Sequence, residues 1–280
     1  MKNHNKLIIF LLLFVVCLFL FYFTNNSLQH NSLEPMSDRV KILHLVLFSH
    51  DGSSYDNMYK ITSEYYKQFA NVKTIYYTYS PDISDPYELK HNILYIKGNE
   101  TYIPGILDKT IQAFEYFDND LYEYDYVVRS NISTIINFNI LNKYLVNNSV
   151  DYASGMMNDL QINIKHKHID NDRNAYASGT SIIMSVDTMR LLLRGKHLLH
   201  RDLIDDVAIG LYIHDNSDII FKNINENGDK FISIPDMKGN LDELKHVVKS
   251  DKHIFYRNRC SDDRNVDYHQ MKYILQILQE

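Results

Sequence analysis

Cysteine is nearly missing from this 280-residue chain, which holds only Cys17 and Cys260. Cys17 lies inside a long apolar run, so the rest of the chain has one thiol and cannot build an internal disulfide framework. Tryptophan is absent, which leaves tyrosine, present 22 times, as the aromatic platform for any ligand held by stacking. Excess positive charge is missing as well. Against 29 Lys and Arg stand 35 Asp and Glu, a formal net charge of −6, so bulk charge gives no reason to expect a nucleic-acid partner. No Gly-rich phosphate loop occurs, which argues against a P-loop NTPase or a dinucleotide fingerprint. No Gly-x-Ser-x-Gly elbow occurs either, which removes the α/β-hydrolase nucleophile. Internal repeats and low-complexity tracts are absent.

What is present begins with Leu7 to Phe23, 17 consecutive apolar residues without a charge. At about 1.5 Å per residue a helix of that length reaches roughly 25 Å, the short end of a membrane span, and suits a thin bilayer such as that of the early secretory pathway. Lys2 and Lys6 precede it, and no Lys or Arg follows until Arg39. The positive-inside bias therefore leaves residues 1–6 in the cytosol and translocates the remainder. A cleaved signal peptide shares the charged start and apolar run, but Phe21-Tyr22-Phe23-Thr24-Asn25-Asn26 is bulky where a small-x-small cleavage site would stand. The expectation is a type II signal anchor at 7–23, a polar stem at 24–39 and one large domain at 40–280 facing the ER or Golgi lumen. Asn25, Asn99, Asn131 and Asn147 begin Asn-x-Ser/Thr triplets, compatible with a glycoprotein.

Within the large domain, apolar runs of strand length alternate with helical periodicity. Strands are predicted at Val40–Ser49, Val72–Tyr79, Asn92–Lys97 and Tyr124–Arg129. Helices are predicted over Tyr55–Phe69, Ile106–Phe117 and near Phe138–Leu145, the second with Ile106, Leu107, Thr110, Ile111, Phe114 and Phe117 on one side. The alternation implies an α/β domain with a doubly wound, mostly parallel sheet. From Tyr152 the pattern changes. Tyr152-Ala-Ser-Gly and Tyr176-Ala-Ser-Gly-Thr-Ser-Ile-Ile-Met-Ser185 read as strands around a polar loop at 165–173. Helices follow over Val186–Leu193, Leu203–Tyr212 and Tyr268–Leu278.

Ligands in open α/β sheets bind at the carboxyl ends of the strands. Two such ends carry polar clusters, Ser49-His50-Asp51 and Arg129-Ser130-Asn131. Asp51 either accepts from a base or ribose hydroxyl or caps the helix that follows.

The stretch Gly98-Asn-Glu-Thr-Tyr-Ile-Pro-Gly-Ile-Leu-Asp-Lys-Thr110, followed by Glu123-Tyr-Asp-Tyr-Val-Val-Arg-Ser-Asn131, resembles the β-1,3-galactosyltransferase and Fringe-like glycosyltransferases. Tyr176-Ala-Ser-Gly179 is similar to their Tyr-x-Ser-Gly strand. Leu203-Ile-Asp-Asp-Val-Ala-Ile-Gly210 is similar to their Glu-Asp-Val-x-x-Gly helix start. Order and spacing agree from residue 93 to 212. The resemblance implies a GT-A-like fold with a mixed sheet flanked by helices, a nucleotide-sugar donor such as a UDP-sugar, and a glycan or glycoprotein acceptor. It also carries the general base of an inverting transfer onto Asp206, with Asp205 beside it at the Glu position, and the acceptor side onto Ser178, Gly179 and Thr180.

One motif departs from that family. Where it has an acidic triad that binds Mn2+ and the donor diphosphate, this chain has Asn131-Ile132-Ser133, a poor set for a hard cation that prefers carboxylates. Asp118-Asn-Asp120 precedes its strand, and Asp170-Asn-Asp172 falls in the polar loop. The expectation is therefore no metal, with basic side chains neutralising the leaving diphosphate instead. Donor-side candidates are Ser49, Asp51, Arg129, Ser130, Asn131, Ser133 and the C-terminal group His253, Arg257 and Arg259. Positions 253, 255, 257 and 259 would share one face of an extended segment. The adjacent carboxylates Asp205 and Asp206 repel, which raises one pKa toward neutrality. Alternatively, the same residues simply favour a helix N-terminus, and the domain binds a sugar without transferring it.

Overall fold

The computed structural model describes residues 39–50, 52–160, 174–234, 241–250, 252–259 and 263–280. The expected anchor and stem up to residue 38, Asp51, and the polar loop with Asp170 and Asp172 lie outside them. Among the described residues no helix is long and apolar enough to cross a membrane.

Strand β1, Ile42–Leu47, shows how the domain is layered. Ile42 and Val46 join one hydrophobic cluster, Leu43 and Leu45 the other. Alternate side chains of a strand point to opposite faces, so a strand covered on both sides reads as one continuous apolar run. β1 pairs in parallel with β2 (Val72–Ser80) and with β5 (Tyr126–Asn131). β4 (Ile93–Lys97) extends the sheet in parallel, and β3 (Tyr87–Lys90) folds back antiparallel on β4. Beyond β5 come β10 (Ser181–Ser185) and β7 (Tyr152–Ser154), each antiparallel to its inner neighbour, then β11 (Lys222–Asn223) parallel to β7. The order β11-β7-β10-β5-β1-β2-β4-β3 makes a mixed sheet in which only β3 and β10 run against the other strands, which fits the expected mostly parallel, GT-A-like arrangement. β3 and β4 are joined through His91 at φ 57°, and so tight a return can only make an antiparallel pair.

Helices cover both faces. α1 (Ser54–Tyr66), α3 (Phe138–Asn147), α6 (Leu241–Lys249) and α7 (Arg264–Gln279) pack on the Ile42 side. α2 (Gly105–Tyr116), α4 (Val186–Arg194) and α5 (Asp205–Asn216) pack on the Leu43 side. Ser53, Asn137, Ser185 and Asp263 cap α1, α3, α4 and α7 with side-chain oxygens. α5 has no such cap; two carboxylates occupy its first turn instead.

The predicted strand over Tyr176–Ser185 is in fact two. β9 (Ala175–Ala177) pairs with β8 (Met157–Asp159), and the chain breaks at Ser178–Thr180 before β10 begins. A second sheet joins β12 (Phe231–Ile234), β13 (Phe255–Asn258) and β6 (Thr134–Ile136), of which β6 lies immediately after β5 in the chain. Its register puts Arg257 opposite Thr134 and Ser233, bringing the C-terminal arginines to the carboxyl end of β5.

Candidate active site

A cleft of about 800 Å³ opens where the carboxyl ends of β1 and β5 meet the first turn of α5, the Ser178–Thr180 turn, and strands β12 and β13. One wall is built around Asp206. Its Oδ2 accepts from the Gly179 N–H at 2.8 Å and its Oδ1 from the Val207 N–H at 2.9 Å. Burial, followed by the adjacent Asp205, raises its pKa above the usual aspartate value, while the two N–H groups and Arg129 oppose that rise.

Beneath it lies a closed polar network. Arg129, 1% exposed, places Nη2 2.5 Å from Asp205 Oδ2, and its Nη1 donates to the Gly179 carbonyl and to Asn131 Oδ1. The Thr110 hydroxyl donates to Asp205 Oδ2 at 3.1 Å. Its hydrogen is thereby spent, so the Tyr77 hydroxyl donates to Thr110 Oγ1 at 3.0 Å and accepts from Arg129 Nε at 3.3 Å. Burial alone would lower the Arg129 pKa; Asp205, Tyr77 and Asp206 outweigh it and hold the guanidinium more firmly charged.

The opposite wall is cationic. Arg257 is 8% exposed, and its Nη1 donates to Ser133 Oγ at 2.5 Å and Thr134 Oγ1 at 3.3 Å. Arg259 and Arg264 line the same cleft, Arg264 lying 5.4 Å from the centre of the Tyr55 ring. Arg264 pairs with Asp267 and Arg129 with Asp205, whereas Arg257 and Arg259 form no ion pair among the described residues. Burial first, then repulsion from Arg264, Arg259 and Arg129, pushes the Arg257 pKa down to about 10. It stays charged at neutral pH. A buried cation without a carboxylate partner, surrounded by other cations, is costly to keep.

No protein-family model matches the chain, and no curated protein matches it. The crystal structure of a glycosyltransferase involved in the glycosylation of the major capsid of PBCV-1 aligns with 82% of this chain and 98% of that one, at 8% identity and a TM-score of 0.44. A likeness that distant says nothing of substrate or chemistry here.

The cleft gathers most of the residues singled out in the sequence: Ser49, Asn131, Ser133, Ser178, Gly179 and Thr180, with both aspartates and three of the arginines. Three expectations need correcting. Ser130 is fully buried with its Oγ 2.9 Å from His44 Nε2, because it follows Arg129 on a strand and so faces the opposite side of the sheet. His44, which also contacts Thr74 Oγ1, is driven by burial to a pKa of about 3 and is a neutral core residue. His253 does not line the cleft; its ring packs against Tyr256. The alternation holds only for Arg257 and Arg259. Asn131 is not an exposed glycosylation acceptor, since Arg129 holds its side chain, whereas Asn99 and Asn147 are exposed. Asp118 and Asp120 sit in the 3-10 turn Asp118–Glu123 that leads into β5, away from its carboxyl end.

Tyr77, Thr110 and Arg264 are site residues that sequence reasoning did not assign. So is Lys109, 1% exposed, which donates to the Phe48 carbonyl at 3.1 Å and to both oxygens of Glu100 at 2.6 and 2.7 Å. It ties the end of β1 to the loop before α2. The visible signal was a lysine on the apolar side of an amphipathic helix, within the Lys109-Thr110 motif.

Gly179 is a glycine for want of space. A Cβ there would stand 2.7 Å from Arg129 Nη1 and 3.2 Å from Asp206 Oδ2. Since that guanidinium is locked by Asp205 and Tyr77, it has nowhere to go. Gly179→Ala should destabilise the protein by about 1–3 kcal/mol, the usual cost of overpacking, read as a lower thermal midpoint. An unchanged midpoint would mean that the turn is looser than described.

Proposed function

We propose that this protein is a glycosyltransferase that moves a sugar from a nucleotide-sugar donor, a UDP-sugar, to a hydroxyl of a glycan or glycoprotein acceptor. The observation that carries the reading is the placement across one cleft of a buried carboxylate, Asp206, and a buried guanidinium, Arg257, that has no carboxylate partner among the described residues. The acceptor hydroxyl would attack the anomeric carbon and give its proton to Asp206. The bond from that carbon to the phosphate oxygen breaks, and the nucleoside diphosphate leaves with the electron pair. Arg257 and Arg259, with Arg264, would neutralise the charge that develops on it.

Two features support a single, inverting displacement without metal. Among the described residues lining the cleft the carboxylates are Asp205 and Asp206, and Asp205 is engaged by Arg129. One carboxylate is thus left, enough for a base but not for a base and a separate nucleophile. At the position of the acidic triad, Asn131 Oδ1 and Ser133 Oγ each accept from a guanidinium, and Ile132 offers no donor atom. A hard divalent cation would meet two guanidiniums there rather than carboxylates, so the residues do not fit it. Anchoring through Leu7–Phe23 with the cleft facing the ER or Golgi lumen is part of the same proposal.

The experiment is UDP release from a panel of UDP-sugars with EDTA present. Release should continue at the rate seen without the chelator. Activity that appears only with Mn2+ would overturn the metal-free reading. Absence of donor binding would overturn the donor assignment itself. A second reading, a sugar-binding domain that no longer transfers, is favoured by the loss of the acidic triad; donor binding with no turnover would select it.

A further inference from the structure

The Arg129–Asp205 pair is hard to explain as a stabilising element. Both groups are almost completely buried, at 1% and 2% exposure, and a buried ion pair is usually no better for stability than apolar residues of the same volume. What the pair does have is a closed connection to Asp206. Arg129 donates to the carbonyl of Gly179, the N–H of Gly179 donates to Asp206, and Asp205 is the neighbour of Asp206 on the first turn of α5. One guanidinium therefore joins β5, the Ser178–Thr180 turn and α5, and the glycine whose carbonyl it holds is the one whose N–H meets Asp206.

Other groups near Asp206 cannot supply an opposing charge. Tyr152, from β7, accepts from the Ala177 N–H and is kept neutral by burial, with Asp206 adding to that effect. Tyr77, from β2, is likewise buried and neutral. Lys109, from α2, acts on Arg129 and Asp205 but is bound by both oxygens of Glu100. Of the charged groups acting on Asp206 among the described residues, there remain one cation, Arg129, and one anion, Asp205.

We propose that Arg129 and Asp205 are opposed positioning residues for Asp206, the cation favouring its ionised form and the anion keeping it basic, so that together they set the pH at which transfer begins. This rests on the reading of Asp206 as the base. Neither residue touches the reacting atoms in this account; both act through the carboxylate and the glycine turn.

The test is the pH profile of kcat/KM for UDP-sugar transfer by the full chain, with a 13C NMR titration of the Asp206 carboxyl on the same proteins. Asp205→Asn removes the anion and should move the acid limb down by about one pH unit, the scale of shift that neighbouring charges produce in folded proteins. Arg129→Gln removes the cation and should move it up by a similar amount. Arg129→Lys should leave the limb near wild type but lower kcat, because an ammonium cannot fork to Asp205 and Gly179 together. If Arg129→Gln does not fold, Asp205→Asn and Arg129→Lys decide the matter. An active Asp205→Asn with an unmoved limb and an unmoved carboxyl titration overturns the proposal. Full activity in Asp206→Asn would instead overturn the function reading, while the NMR titration still reports whether the two neighbours control Asp206.

Discussion

Asp206→Asn is expected to lower kcat by about 10²–10⁴-fold, the usual contribution of a general base, with little change in folding. The amide oxygen of Asn can still accept from an N–H, so the bonds from Gly179 and Val207 need not both be lost, and the side-chain volume is kept. What disappears is the ability to take a proton. Donor affinity, measured by calorimetry with UDP-sugar, should therefore hold while turnover collapses. The wild-type pH dependence follows from the same carboxylate. A base works when ionised, so the rate should fall as pH drops through its folded-state pKa. Burial and Asp205 place that pKa above the ordinary 3.8, so the acid limb should lie at higher pH than an exposed aspartate would give. Retained turnover with an unchanged limb would remove Asp206 from the mechanism.

The second large effect is expected at Arg257, with opposite signs for activity and stability. Arg257→Met should cost about 10²–10³-fold in kcat, the scale seen when one preorganised charge-stabilising donor is deleted. Folding stability should stay level or rise. The wild-type guanidinium is buried, lacks a carboxylate partner among the described residues and is repelled by Arg264, Arg259 and Arg129, so its removal relieves an unfavourable charge. Ser133 and Thr134 lose a donor but keep hydroxyls that can bond elsewhere. Kinetics together with thermal unfolding separates the two contributions. A variant that unfolds early yet turns over normally would assign Arg257 to the fold instead. A destabilising residue kept in a cleft is what a trade of stability for function looks like.

Much of the scaffold could be read from local pattern. The parallel strands β1, β2, β4 and β5 and the helices α1 to α4 fall near their predicted positions because each is a periodic apolar segment of adequate length. Elements that lack such a signal were missed: β3 and β6 are four and three residues long, and β12 contains an exposed serine. The break at Ser178–Thr180 lies inside a segment, Tyr176–Ser185, that reads as one strand. It exists because Gly179 must let Arg129 and Asp206 close on either side of it, a constraint imposed by residues 50 and 27 positions away.

Residue chemistry and order along the chain were enough to nominate Asp205-Asp206, the Ser-Gly-Thr turn, the non-acidic Asn131-Ile132-Ser133 and the basic C-terminal stretch. They were enough because adjacent carboxylates, a glycine in a strand and a missing acidic triad are visible one residue at a time. Tertiary structure alone decided which charges are free. Arg129 and Asp205 each looked available in the sequence, and folding pairs them with each other. Arg257 was one of several donor-side candidates in the basic C-terminal stretch, and the second sheet carries it to the end of β5. Pairing depends on which strand ends are brought within a few ångströms, and no local pattern contains that distance.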